Sequence, residues 1–541
     1  MKKIIHALWM MIPQRLVVGG SCGILVTLLV AMTWNDAPTF EEAQILRQGY
    51  QMMSYGRGVD AFSALGAALI SSAWLTIVSW LGGFSLCFLE CPGLSGLSAW
   101  QDIQGVLLVA RMPFILALVL GILWLGDLVQ RHTRSRSSTK LTLLLVCFSP
   151  TVLAFGGLIG NWSLSFLGTV ILIDLFLAAR ARNRILDWIV VGLASSILVI
   201  LVPMLWGVVG LLLVFWVLDW VVIQERSADE RYFQAVAGVL YWLVFTGGLA
   251  QITYGFFTRG TGSYRWYAED AWRWGMQLME AQEVFLFGQW FTRDWGVHTI
   301  LSYLLKESFP LLILLTVILG MMGIWGIGLR GLSRAWMKVH RFQLVSVWLV
   351  GGLLLGAIAL PGGTGLSSIW LPIVLSYPLI ALGMRSFLPS WNFSRVVLVI
   401  LGIWYIAIPF RAFPHYISHS NLFTGEGRLA YLTFEGSNID GGQDLYRLAQ
   451  WTKSQDIGTI YVDYHGSIDP AVYLGEAYIP YTSTDGQQPD QYIAISVNQY
   501  HQAFREKELG LRDQDYWWLE WKHPQAQIGN SIVIYRLPKH K

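Results

Sequence analysis

Apolar runs near the ~20 residues that a helix needs to cross a bilayer recur along most of this chain. Backbone in lipid must satisfy its own hydrogen bonds, so such runs fold as helices. The composition agrees: 55% of the 541 residues are hydrophobic and 13% are charged, against roughly 25% charged in soluble domains. The chain therefore reads as a polytopic α-helical membrane protein. Its net charge of +3 points to no nucleic-acid partner. The 27 tryptophans supply interfacial belts and flat faces against which sugar rings can pack. Of the four cysteines, Cys22 and Cys147 lie in apolar runs and read as core residues. Cys87 and Cys91 sit in a loop where a disulfide is open to them if that loop is extracytoplasmic.

Basic residues orient the spans. Lys2, Lys3 and Arg15 precede the first span, Leu16–Thr33, which places its start in the cytoplasm. The basic N-terminus shows no obvious small-residue cleavage site and reads as leading into an uncleaved first span. Val106–Val129 runs toward the cluster Arg131, Arg134, Arg136 and Lys140. Ala61–Leu89, broken by Ser and Gly, is then re-entrant or interfacial, because a further span there would put that cluster outside. The remaining spans are Leu141–Leu158, Leu164–Ala178, Ile185–Met204, Trp206–Val222, Val236–Ile252, Ile300–Leu329, Val345–Leu360, Ile369–Met384 and Val396–Ile408. This gives about eleven transmembrane helices, a cytoplasmic N-terminus and an extracytoplasmic C-terminus in the cell (cytoplasmic) membrane. Residues 1–411 form the transmembrane domain, with outer loops at 34–105 and 253–299. Residues 412–541 turn polar and alternate strand-like runs (Gly458–Val462, Ser531–Tyr535) with a helix-like piece, Gln443–Lys453. They predict a C-terminal extracytoplasmic α/β domain.

The first outer loop, Trp34–Gly58, sets Asp36, Glu41 and Glu42 beside the membrane, where carboxylates are costly to desolvate. Two readings apply. Thr39 with Glu42 three residues on has the spacing of a capping box. Alternatively, Glu41 or Glu42 is a general base facing a lipid-borne substrate.

Three stretches together resemble bacterial members of glycosyltransferase family 39, relatives of the protein O-mannosyltransferases and of the aminoarabinose transferase, which have the GT-C fold. They are Pro38-Thr39-Phe40-Glu41-Glu42-Ala43 with Gly49, then Phe285–Leu315, then Ser437–Tyr473 with its Ser-Asn-Ile-Asp-Gly-Gly-Gln-Asp run. The resemblance implies transfer of a sugar from a polyprenyl-phosphate donor to a protein, lipid or glycan acceptor at the outer face of the membrane. Transfer would proceed with inversion, with Glu41 or Glu42 as base. Asp36 is a secondary carboxylate. Arg47, Arg111, Arg265, Arg293 and Lys306 are candidate substrate-binding cations, Arg57 a further one, and Arg111 and Lys306 are best placed for a membrane-borne phosphate. The bland reading of each cation is snorkelling at the interface. No cofactor follows beyond that donor substrate, with a divalent metal left open.

The sequence departs from the family pattern in several places. Glu41 stands where Asp is usual, Gln44 near a usual His, and Ala61-Phe62-Ser63 where His-Pro-Pro is expected. The turn Gly160-Asn161-Trp162-Ser163 lacks the common Asp, and Val202-Pro203 replaces a usual Lys. A catalytically degenerate relative that binds polyprenyl lipid, or scaffolds a cell-envelope complex, is therefore the alternative. A transporter is less supported, since the two halves show no internal repeat.

Three further constellations carry two readings each. Tyr264–Trp274 is a gate over the substrate cavity or an amphipathic interfacial helix. His298 is a structural hydrogen-bonder or a catalyst. Asp440, Gln443, Asp444, Asp463 and Asp469 form a carbohydrate or metal set, or a turn that caps a helix. There is no Walker loop, HExxH or CxxC pair, so ATP hydrolysis and zinc proteolysis have no support.

Overall fold

A computed structural model describes residues 13–536 apart from 56–64, 83–102, 224–228, 259–266, 281–282, 292–295, 325–336, 338–339, 360–364, 388–391, 428, 435, 482–490 and 509–522. Cys87, Cys91, Arg57, Arg265 and Arg293 lie outside the described residues.

The first helices in order are α1 (Gln14–Asn35), α2 (Phe40–Tyr55), α3 (Leu65–Gly82), α4 (Ile103–Thr133), α5 (Arg136–Cys147) and α6 (Pro150–Gly156). Next come α7 (Asn161–Arg182), α8 (Ile185–Leu201), α9 (Leu205–Leu218) and α10 (Asp229–Thr258). The amphipathic α11 (Tyr267–Met279) and a short hairpin, β1 (Val284–Leu286) with β2 (Gln289–Phe291), precede α12 (Val297–Lys306) and α13 (Phe309–Ile324). The helical part closes with α14 (Arg341–Ala359), α15 (Trp370–Phe387) and α16 (Asn392–Ala412).

Among the described residues five helical segments are long and apolar enough to cross a membrane: Gln14–Asn35, Ile103–Thr133, Asn161–Arg182, Arg341–Ala359 and Gly365–Arg385. Two expected spans are broken rather than continuous. Leu141–Leu158 bends by 61° between α5 and α6, and Ile300–Leu329 bends by 116° between α12 and α13. Proline explains both breaks, because it has no N–H to donate and suits only a first helical turn. Pro150 opens α6 behind the cap Ser149, whose hydroxyl accepts from Val152 N at 3.2 Å. Pro310 sits in the first turn of α13, after an extended Glu307. Five shorter apolar helices complete the set: Leu65–Val78, Ile185–Leu201, Leu205–Val221, Val236–Ile252 and Val396–Ala412. The stretch expected to be re-entrant or interfacial thus holds a helix, α3. Cys22 and Cys147 are buried free thiols.

The C-terminal part carries α17 (Leu445–Ser454), β3 (Ile460–Asp463), α18 (Ala471–Leu474), β4 (Tyr478–Pro480), β5 (Tyr492–Ser496), α19 (Val497–Glu508), β6 (Ala526–Ile528) and β7 (Ile532–Arg536). The strands form one sheet in the order β4-β3-β5-β7-β6, parallel across β4-β3-β5 and antiparallel across β5-β7-β6. Alternation along the strands builds two cores. Ile460, Val462, Ala494, Ile532 and Ile534 pack under Leu445 and Leu448 of α17. Tyr461, Ile493, Ile495, Val533 and Tyr535 face the other way, toward Ala503 of α19. Ala37, from the first outer loop, is fully buried inside the α17 core. The sheet is therefore built onto the start of α2.

Candidate functional site

The site grows from the short connection between α1 and α2. Thr39 caps α2. Its backbone N–H and hydroxyl donate to Glu42 Oε2 at 2.9 and 3.0 Å, and Glu42 N donates back to its hydroxyl at 3.4 Å. This is the capping box that the Thr39/Glu42 spacing allowed. Glu42 also reaches into the bundle. Arg111 of α4 donates Nε to Oε1 at 2.7 Å and Nη2 to Oε2 at 2.6 Å, a bidentate pair with neither side chain exposed. Ile159 N adds a 2.9 Å bond to Oε1, and Arg111 Nη1 reaches Thr33 Oγ1 at 3.3 Å. Glu42 thus accepts five hydrogen bonds on two oxygens.

Glu41 points elsewhere. It is accessible to solvent, as are Phe40, Gln44 and Arg47 on the same side of the helix, while Glu42, Ala43, Ile45 and Leu46 are buried. The exposed set spans an arc of about 120° of the helix, with Glu41 at one edge, Gln44 between and Arg47 at the other. Enough protein surrounds Glu41 that desolvation raises its acid above the usual carboxylate range, and the Glu42 charge raises it further.

The C-terminal part holds the other end of the connection. Ala37 N donates to Gln443 O at 2.8 Å and Phe40 N to Gly441 O at 2.7 Å, so the segment entering α2 runs along the Gly441–Gln443 loop. Arg447 of α17 pairs with both Asp36 and Asp444. Asp36 is buried, and burial pushes its acid up to about 7 against the pull of Arg447 and Arg111. Phe40 stacks on His465 with ring centres 5.6 Å apart, and Ser467 Oγ donates to Phe40 O at 3.2 Å.

The Ser437–Tyr473 acids are engaged within the protein. Asp440 accepts from Gly442 N at 3.0 Å and Asn498 N at 3.3 Å, and burial pushes its acid up to about 7. Asp444 accepts from Ser531 Oγ at 2.6 Å, and Asp469 from Ala471 N at 3.0 Å. Gly529, at φ +58°, lies so close to Asp444 that a Cβ there would meet its carboxylate 1.9 Å away. Gln443 Nε2 donates to Ile439 O at 2.9 Å. Asp463 ends β3. Among the described residues no group of three His, Cys, Asp or Glu is placed to hold a metal ion.

Of the sequence candidates, Asp36, Glu41, Glu42 and Arg111 lie around the start of α2, and Arg47 is exposed farther along the same helix. Lys306 lies elsewhere. It ends α12, is buried, and donates to Ile417 O at 2.7 Å and to Asn438 O, so it ties α12 to the C-terminal part. Its neighbour Glu307 is fully buried at the α12–α13 break, accepting from Thr151 Oγ1 and Ser308 N at 2.9 Å each. His298 is buried on α12. In the Tyr264–Trp274 stretch, described from Tyr267, α11 is held by Tyr254 OH donating to Asp270 at 2.5 Å, and its Trp272 is exposed. The β1–β2 hairpin bridges to Phe434, and Glu283 before it pairs with Arg505 of α19. Sequence reasoning missed Arg447, which carries no motif. Nor did it anticipate that Arg111 answers Glu42, although a lone cation in an apolar run is itself a signal of a buried partner.

No family model matches the sequence, and no curated protein matches it. Solved structures with a similar arrangement include the arabinosyltransferase EmbB from Mycobacterium smegmatis. That match covers 73% of this chain and 37% of EmbB, at 11% identity and a TM-score of 0.39. The arabinofuranosyltransferase AftD from Mycobacteria covers 90% of this chain and 35% of its own, at 14% identity and a TM-score of 0.41. The chain spans little more than a third of either protein.

Proposed function

We propose that this chain is a membrane glycosyltransferase of GT-C type. It moves a sugar from a polyprenyl-phosphate donor to an acceptor hydroxyl at the outer face of the cytoplasmic membrane. Glu41 is the base: it takes the acceptor's proton as the oxygen attacks the anomeric carbon, the configuration inverts, and the lipid phosphate leaves. The observation that carries this reading is the division of labour at the start of α2. Glu42 is saturated by Arg111, Thr39 and Ile159, while Glu41 beside it is accessible and has a raised acid. A raised carboxylate acid is better matched to proton abstraction near neutral pH. Arg47, also exposed on α2, is the cation nearest to Glu41 in chain position for the leaving phosphate. Five long helices, two bent pairs and four of the shorter apolar helices make the eleven spans of this reading, with α3 lying re-entrant and the sheet domain outside.

A second reading has an observation of its own. Arg111 and Lys306, the cations best placed in the sequence for the phosphate, are both occupied by protein groups. That favours a relative that binds polyprenyl lipid without turnover. The two separate when the purified protein is incubated with a panel of radiolabelled polyprenyl-phosphate sugars. Release of sugar from one donor supports the transferase. Saturable binding with no release across the panel supports the lipid-binding relative.

A further inference from the structure

Along α16 the exposed apolar residues Val396, Ile400, Ile403 and Phe410 recur at helical spacing and make one stripe. On an apolar helix of a membrane protein such a stripe faces lipid. The stripe does not end where α16 ends. Arg411, next to Phe410, pairs with Glu426 at 2.5 Å, and both side chains are exposed. Phe309, the first residue of α13, packs on Trp404 of α16 with ring centres 5.9 Å apart, and meets Phe423 edge-on at 5.3 Å. These contacts lay the turn Leu422–Gly427 across the ends of α13 and α16. Phe423 is 68% exposed, as open as Ile403 at 66% in the stripe, and Leu422 beside it is exposed too.

α12 extends the same surface. Asn421 Nδ2 donates to Leu304 O at 2.7 Å and to Glu307 O at 3.0 Å, which seats Leu422 against the end of α12. The helix is turned inside out for a water-facing position. Its polar Thr299, Ser302 and Lys306 are buried in protein, while its apolar Val297, Ile300 and Leu304 are exposed. It also bends 116° from α13, so it lies across the line of that span. A helix lying across a span with its apolar side outward suits the plane of a membrane interface.

We propose that Ile300 and Leu304 of α12, with Leu422 and Phe423, rest in the acyl-chain boundary of the leaflet where α13 begins and α16 ends. The occupant is lipid because the surface runs on from the lipid-facing stripe of α16. The exposed Arg411–Glu426 pair marks its edge, where charges meet headgroups. Exposed apolar surface of this extent is otherwise a liability in water. The contact reaches the candidate site. Lys306, on the buried side of α12, donates to Ile417 O and Asn438 O, and the loop that follows, Gly441–Gln443, holds the segment entering α2. The surface goes beyond the transferase reading and stands whether or not sugar is transferred, since α12, α13 and α16 alone define it.

The test is photolabelling of the full chain in nanodiscs of phosphatidylcholine, part of it carrying a diazirine on one acyl chain, with labelled residues mapped by mass spectrometry. Wild type is labelled at residues 300–304 and 422–423 to the extent seen at 396–403 of α16. The exposed polar residues 453–456 stay at background. Leu422→Glu/Phe423→Glu places two carboxylates on the surface at exposed positions. Label is then lost from 422–423 and kept at 396–403, which also reports that the bundle is intact. Background labelling of 300–304 and 422–423 in wild type overturns the assignment. So does unchanged labelling of 422–423 in the double variant. Copies of the chain that cross-link to each other through this surface, with no lipid label on it, would make it an interface between copies instead.

Discussion

Arg111 grips Glu42 with two hydrogen bonds, 2.7 and 2.6 Å long, although 69 positions separate them and neither side chain is exposed. The pair fixes the start of α2 to the middle of the bundle, and with it the direction in which Glu41 projects. Removing one member of a buried pair leaves the other charge without compensation. Glu42→Gln is therefore expected to destabilise the protein by about 3–5 kcal/mol, read as a fall in thermal unfolding temperature in detergent. Glu41→Gln, at an accessible position, leaves that temperature nearly unchanged.

The C-terminal part secures the same helix start. Arg447→Met removes the ion pairs to Asp36 and Asp444 and leaves both carboxylates buried. The expected result is faster hydrogen exchange at Ala37 and Phe40, whose amides donate to Gln443 O and Gly441 O. Unchanged exchange at those two amides would show that Arg447 does not hold the connection.

Protonation of Asp440 links the docking loop to pH. Burial raises its acid from 3.8 to about 7, so the folded state binds this proton more tightly than the unfolded chain. The stabilisation is full below about pH 4 and is lost as pH rises through about 7. Asp440→Asn keeps an acceptor for only one of Gly442 N and Asn498 N, which donate to different oxygens of Asp440, and removes the titration. Stability measured between pH 4 and 8 should fall less steeply with rising pH in that variant than in wild type.

Lys306 gives a fourth test. Its ammonium donates to Ile417 O and Asn438 O, so Lys306→Met strips two buried carbonyls of their donor. Limited proteolysis should then cut near residues 417–438 faster than in wild type. A change in donor KM with unaltered proteolysis would instead assign Lys306 to the substrate phosphate.

How much of this was written in the sequence differs from element to element. The apolar runs mark the helices, since their length and composition are local properties. The Thr39–Glu42 box is local as well, and it forms. The breaks at Ser149 and Ser308 had a signal in Pro150 and Pro310 that hydropathy alone overrode. Arg111 drew notice as a cation near a span end. Its engagement with Glu42 depends on the packing of α4 against the start of α2, which no spacing encodes. Arg447 with Asp36 is harder still, because they are 411 positions apart and only the packing of α17 against the segment before α2 brings them together. Burial of Ala37 in the α17 core belongs to the same docking.

The central claim is that Glu41, and not its locked neighbour, removes the acceptor's proton. The most direct measurement is the single-turnover rate of sugar transfer from a saturating radiolabelled polyprenyl-phosphate donor, for wild type and Glu41→Gln, with lipid binding measured alongside. The account predicts a loss of about 100-fold or more in Glu41→Gln with donor binding retained, the scale of a missing general base. Full transfer activity in Glu41→Gln would contradict it.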